Sequence, residues 1–236
     1  LRCSLYGRER MPFESGKTGA LTGSGSRLSY GTHDIKRGNN IIHGKSMYHG
    51  KAGKVSVSEC IEKVRNHTFG KVYRVNCIRE HNIQFPSLRR CEDVAFVCLA
   101  IEACGNPYYY SKALYTYYQR PNSLSKDSSL DEKDGVKAFD ILIKELETKY
   151  PKELKEKSVI DLLYGAVLEM TRAKKSKKYI KQYIDNYSVK YPDWHKCKII
   201  KNIGRGKRIY LLCIKLKWIG FIRILTRVHS YIVSRK

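Results

Sequence analysis

The sequence predicts an α/β protein in which a short mixed region of strands and helices leads into a long helical C-terminal region. Three observations predict this. Residues 92–104 form an almost unbroken apolar run of helical length, stopped by Gly105; residues 108–118 are rich in Tyr and other β-forming residues; and beyond Ser125 apolar residues recur at helical spacing.

Composition permits a folded chain. Of 236 residues, 42% are hydrophobic and 18 are Tyr, enough apolar and aromatic material to offset chain entropy. Lys and Arg number 46 against 22 Asp and Glu, a net charge of +24, which attracts polyanions or an anionic membrane surface. The eight cysteines include no CxxC pair and no zinc-finger spacing, and no signal peptide precedes them, so they read as reduced thiols of a cytosolic protein. Leu1 stands where an initiating Met is expected, which predicts a fragment of a longer protein.

Residues 1–54 are rich in Gly, Ser, Arg and His with no sustained period, and read as a poorly ordered arm. Gly16-Lys17-Thr18 is no phosphate loop, because Met11 occupies the position of its first glycine and no apolar strand precedes it. Order is expected from Val55. Ser58 to Val64 starts like a capped helix, and Val72-Tyr73-Arg74-Val75 leads to a second element. Tyr108-Tyr109-Tyr110, a Ser111-Lys112 turn and Leu114 to Tyr118 read as a β-hairpin. Helices are expected over 131–150 (Val136, Phe139, Ile143 and Leu146 inward), over 158–172 (Ile160, Leu163, Val167 and Met170 inward) and over 174–187. The segment 207–236 mixes Trp218, Phe221 and many Ile and Leu with Lys and Arg. No stretch of about 18 residues is free of charge, so it reads as a helix lying in a membrane interface rather than one spanning it. The expected organisation is thus an arm (1–54), a mixed domain part (55–126), a helical region (127–206) and a basic amphipathic tail (207–236).

Four short elements carry the most information: Lys71-Val72-Tyr73-Arg74, Ile83-Gln84-Phe85-Pro86, Glu92-Asp93 opening a helix, and the run from Tyr115 through Tyr117, Tyr118, Arg120 and Ser123 to Ser125. In this order the series resembles the acceptor-side half of family 2 glycosyltransferases, the inverting GT-A (Rossmann-like) enzymes of bacterial capsule, exopolysaccharide and lipopolysaccharide synthesis. The resemblance implies a transferase that moves a sugar from a nucleotide-sugar donor to a glycan or lipid-linked acceptor. It implies Asp93 as general base with Glu92 its neighbour, and Arg120, Tyr117, Tyr118 and Ser123 as substrate-binding residues. In-line displacement at an anomeric carbon requires such a carboxylate to take the acceptor proton, and Arg offers phosphate a planar donor fork. The family also uses Mg²⁺ or Mn²⁺ held by an Asp-x-Asp motif. No Asp-x-Asp occurs here, and 1–54 lacks the apolar strands of a nucleotide-binding half, so the cation and donor are expected on a part outside this chain, which alone would be inactive. The family's Asn before the Lys of the first element is Gly70 here. The implied location is cytoplasmic, peripheral at the inner face of the cell membrane.

The residues alone leave other readings open. Carboxylates at a helix start also cap free N–H groups, and a tyrosine row is also a half-buried strand face. The alternative function is a basic module without catalysis that binds a membrane surface or nucleic acid. For nucleic acid the Lys excess lies mainly after Lys174, and no helix-turn-helix, RNA-recognition or zinc pattern accompanies it. The seven histidines form no metal-ligand spacing.

Overall fold

The computed structural model of the chain describes residues 28–37, 40–42, 52–105, 107–118 and 133–234. Strands β1 (Leu28–Arg37), β2 (Asn40–Ile42) and β3 (Gly53–Lys54) are followed by helix α1 (Val57–Lys63), strand β4 (Lys71–Tyr73), helices α2 (Val75–Glu80) and α3 (Glu92–Cys104), and strand β5 (Pro107–Tyr118). Helices then take over: α4 (Lys133–Leu146), α5 (Pro151–Ser158), a π-helical stretch (Val159–Gly165), α6 (Ala166–Arg172), α7 (Lys177–Lys190), the short α8 (Ile199–Asn202), α9 (Arg205–Lys215) and α10 (Ile219–Ser234). The result is mixed and mainly helical, with a small sheet.

Helix α3 forms where expected. Val94, Ala95, Phe96, Val97, Cys98, Ala100, Ile101 and Cys104 are all buried, which leaves almost no solvent face. Gly105 ends it at φ +60°, a conformation that costs glycine little. Helix α1 is capped by Ser56 rather than Ser58: the Ser56 hydroxyl accepts from the Glu59 N–H at 3.2 Å. On α4 the inward residues are Ala138, Phe139, Leu142 and Leu146, so Leu142 takes the place expected of Ile143.

Four expectations are corrected. The segment 1–54 contains strand β1, which pairs in parallel with β5 from Leu28 opposite Pro107 to Lys36 opposite Tyr118. Its local pattern is weak because the strand is made by its partner, not by its own propensity. The hairpin over 108–118 is a single strand. Gly31 faces Tyr110 and Thr32 faces Ala113, so Ser111 and Lys112 are absorbed as a bulge instead of making a turn. The helix expected to begin at Ser158 begins at Pro151. Leu163, Val167 and Met170 are buried as expected, while at the start of the π-helical stretch Val159 is fully buried and Ile160 is not. Finally, the cysteines are not all free: Cys77 and Cys104 form a disulfide with Cα atoms 5.8 Å apart, joining α2 to the end of α3. A pairing across 27 residues leaves no local signal.

One apolar cluster runs from Leu28 through α3, α4, α5 and α6 to Ile222 of α10. The segment 207–236 is therefore two helices whose inner faces belong to the common core. Polar groups are built into this core with partners. Lys157, 3% exposed, reaches Asp161 at 3.0 Å and donates to the Val64 carbonyl at 3.1 Å. The Glu156 carboxylate accepts from the N–H groups of Lys198 and Ile199 at 2.9 and 2.7 Å, fixing the start of α8 against α5.

Closing a loop of this length restricts the unfolded chain by roughly 3.5 kcal/mol. Cys77→Ala combined with Cys104→Ala is expected to lower the thermal midpoint by about 7–14 °C, measured by circular dichroism with and without reductant. An unchanged midpoint would show that the cross-link does not form.

Candidate active site

The site is built around the first turn of α3. The run from Glu92 is apolar after its first two residues except for Glu102, so α3 sinks into the core, with Glu92 and Asp93 at its partly exposed N-terminal end. Cys91, in the left-handed region at φ +61°, precedes it and provides no side-chain cap. Glu92 and Asp93 occupy the first turn, where negative charge meets the positive end of the helix dipole.

Asp93 is held from two directions. Its carboxylate accepts from its own main-chain N–H and from that of Thr68, so the loop 65–70 is tied to the helix start. Burial raises the Asp93 pKa above the ordinary carboxylate value and the adjacent Glu92 charge raises it further; the two N–H donors and nearby Lys71 oppose the rise. Lys71 is pulled down to about 8, chiefly by burial, with the Asp93 charge acting the other way. Its ammonium donates to the His67 carbonyl. Burial thus desolvates both Asp93 and Lys71, raising the pKa of the one and lowering that of the other.

Three of the four sequence elements meet here. Tyr73 packs edge-on against Phe96 at 5.6 Å, and Phe85 stacks on the same Phe96 at 3.9 Å and 6°. The Lys71–Arg74 strand and the Ile83–Pro86 turn therefore both rest on the N-terminal half of α3. Burial raises the Tyr73 pKa strongly, and its hydroxyl is buried without a hydrogen-bond partner.

The fourth element arrives through a ring stack. His67 and Phe69 lie parallel, 3.8 Å apart, and Phe69 stacks against Tyr115 at 5.2 Å and Tyr117 at 5.1 Å. Tyr115 and Tyr117 share one face of β5 because side chains alternate along a strand. Tyr118 lies on the other face and is exposed, so the structure brings Tyr117 to the Asp93 loop and not Tyr118. Arg120 and Ser123 lie outside the described residues.

Sequence reasoning assigned no role to His67, Thr68, Phe69, Lys71 or Tyr115. A signal was present in the His67-Thr68-Phe69-Gly70 run directly before the Lys71 strand. Gly70 has φ +71°, a left-handed conformation that Gly and Asn both adopt with little strain.

Cys91 and Val94, which flank the two carboxylates, line a cavity of about 270 Å³ together with Asn66, Phe139, Leu162 and Lys207. The Asn66 amide oxygen is buried with no hydrogen-bond partner. Among the described residues no group of three His, Cys, Asp or Glu side chains could hold a metal ion. Asp93 already accepts two N–H groups beside Lys71. The described residues therefore do not fit a divalent cation.

No family model matches the sequence, and no curated protein matches it. The fold is similar to that of the glycosyltransferase TarS of S. aureus, solved as residues 1–349. With UDP-GlcNAc bound, that structure is 16% identical over 92% of this chain and 63% of its own length, with a TM-score of 0.56. With UDP bound, the identity is again 16%, the coverage 92% and 62%, and the TM-score 0.52. This chain thus shares the fold of part of TarS and spans less than two thirds of the solved TarS structure.

Because its pKa is raised on folding, Asp93 binds its proton more tightly in the folded chain than in the unfolded one. Its contribution to stability is then fully present below the ordinary carboxylate pKa and is lost as pH rises through the folded value. Asp93→Asn removes the buried charge. The variant is expected to melt about 2–4 °C higher than the parent at pH 7, the shift that roughly 1 kcal/mol produces in a chain of this size. The difference should vanish near pH 3; a variant that melts lower at pH 7 would mean that the ionised carboxylate is a net structural support.

Proposed function

We propose that this chain is the acceptor-side part of an inverting glycosyltransferase of the family 2, GT-A type, which moves a sugar from a nucleotide-sugar to a glycan or lipid-linked acceptor. The observation that carries the reading is the Asp93 carboxylate, fixed by the Thr68 N–H at the start of α3, with its pKa raised by burial and an aromatic stack joined to the same loop. The likeness of fold to TarS supports it, and the UDP-GlcNAc bound to TarS favours a UDP-sugar as the donor class.

The chemistry follows from these groups. An acceptor hydroxyl donates its hydrogen bond to the Asp93 carboxylate. As the hydroxyl oxygen bonds to the anomeric carbon, its proton passes to Asp93 and the bond from that carbon to the nucleoside diphosphate breaks, which inverts the centre. A raised pKa makes the ionised Asp93 a stronger base than an exposed carboxylate. Tyr115, exposed on β5, offers a flat ring face on which a sugar can stack, Phe69 holds Tyr115 and Tyr117 in place by stacking on them, and Glu92 adds negative charge beside the base. Arg120 and Ser123 are proposed to contact substrate, as the family pattern implies. Mg²⁺ or Mn²⁺, held by residues other than those described, would stabilise the leaving diphosphate. The reading extends to surface polysaccharide synthesis at the inner face of the cell membrane.

The test is nucleotide release from UDP-sugars by the protein that carries this chain, with polysaccharide or lipid-linked acceptors. Asp93→Asn is expected to lower kcat by about 10²–10⁴-fold, the range for loss of a general base. Phe69→Ala should raise the acceptor KM more than it lowers kcat. The acid limb of the pH profile should lie above the ordinary carboxylate range and disappear in Asp93→Asn. Undiminished turnover in that variant would overturn the assignment.

A further inference from the structure

Helices α9 and α10 bury one face each. Tyr210, Leu211 and Ile214 of α9, and Ile219, Ile222 and Thr226 of α10, are all buried. The Tyr210 hydroxyl and the Thr226 hydroxyl lie 3.2 Å apart between the two helices. Both inner faces join the same apolar cluster, so both opposite faces look outward.

Those outward faces are not polar. Ile209, Leu212 and Leu216 run along α9 and its end at spacings of three and four residues, and Phe221, Ile224 and Val228 repeat that spacing along α10. Trp218 stands in the connection between them, and all seven side chains are 44% to 57% exposed. Single exposed apolar residues are ordinary; two helical rows joined by a tryptophan are not. The connection is built, not frayed. Lys217, at φ +53°, donates its N–H to the Ile214 carbonyl at 3.0 Å, the Trp218 N–H reaches the Cys213 carbonyl at 2.9 Å, and the Lys217 ammonium pairs with Asp185. The Arg223 guanidinium donates to the Lys175 carbonyl at 2.8 Å, which holds α10 to the end of α6.

Charge selects the occupant. From Trp194 to Lys236 the sequence has 12 Lys and Arg and no Asp or Glu. Among the described residues, Arg205, Lys215 and Arg227 have no ion pair. A second copy placed face to face would bring like charges together, which opposes self-association through this face. An anionic lipid surface accepts both features: apolar side chains and Trp at the acyl boundary, and Lys and Arg among the headgroups. No described helix is long and apolar enough to cross a membrane, so the contact would be interfacial.

We infer that the outward face of α9 and α10, centred on Trp218, docks on an anionic membrane surface and inserts Leu212, Trp218, Phe221 and Ile224 into its interface. The face is separate from the Asp93 site, so its test does not depend on the transferase reading.

The experiment uses the whole chain with vesicles of phosphatidylcholine alone and of phosphatidylcholine with phosphatidylglycerol, followed by co-sedimentation and tryptophan emission. The chain has two tryptophans, and Trp194 is buried, so a blue shift on vesicle addition reports Trp218. Expected are binding and a blue shift with the anionic vesicles alone, and loss of the shift in Trp218→Phe. Leu212→Ser with Ile224→Ser should weaken partition by about tenfold or more and leave the thermal midpoint unchanged, since both side chains are exposed. The inference is overturned if the parent chain ignores anionic vesicles, or if the serine pair binds them equally well. It is also overturned if the serine pair instead abolishes retention on a single-stranded oligonucleotide, which would give the face to nucleic acid, or dissolves a concentration-dependent dimer, which would give it to a second copy.

Discussion

Helix α3 is surrounded by protein on nearly every side, and much of the molecule is arranged to keep it so. Helix α1, α2 with its disulfide, the Ile83–Pro86 turn and α4 all lie against it. A helix buried this completely has few places for polar groups: Glu102 reaches Lys149 from its last turn, and its other two carboxylates, Glu92 and Asp93, stand at its first turn. There the chain supplies main-chain N–H groups and a lysine but little water. The raised pKa of Asp93 is therefore a consequence of packing rather than a separate device: the same burial that stabilises α3 desolvates the carboxylate at its start.

The parts of this arrangement that depend on local pattern were legible in the sequence. Glu92 to Cys104 could hardly be other than a buried helix, Gly105 marked its end, and Glu92-Asp93 stood out as carboxylates opening an apolar run. The parts that depend on distant partners were not legible. Strand β1 has only a weak alternation of its own and is ordered by β5. Ser111-Lys112 has turn composition, yet a parallel neighbour stretches it into a bulge. At the start of the π-helical stretch Val159–Gly165 it is Val159 and not Ile160 that is fully buried, although Leu163, Val167 and Met170 keep the face that 3.6 residues per turn predicts. In the site, Thr68 contributes only its main-chain N–H, a group every residue but proline possesses, so no side-chain reading could single it out.

The basic excess has a comparable division. Some of the cations are spent inside the fold: Lys157 on Asp161 and the Val64 carbonyl, Lys71 beside Asp93, Lys217 on Asp185. These are positions where a buried or half-buried carboxylate or carbonyl needs a partner. Others stand from Trp194 onward, where the sequence has 12 Lys and Arg and no acidic residue to answer them. A single net charge conceals these two populations, one structural and one facing outward, and only the coordinates separate them.

The parallel pairing of β1 with β5 has a further consequence, for the order in which the chain acquires its shape. Leu28 meets Pro107 across α1, α2 and α3, so the pairing cannot close until the intervening chain is compact, and the entropy of closing so long a loop is repaid only then. The helices from α4 to α10 are made of near neighbours in sequence and carry no such delay. On these grounds the pairing of β1 with β5 closes only after the chain between them has become compact. During synthesis β1, which also pairs with β2 and β4, leaves the ribosome long before β5 exists to receive it, and for that interval its β5-facing edge is open, the kind of edge through which nascent chains associate wrongly.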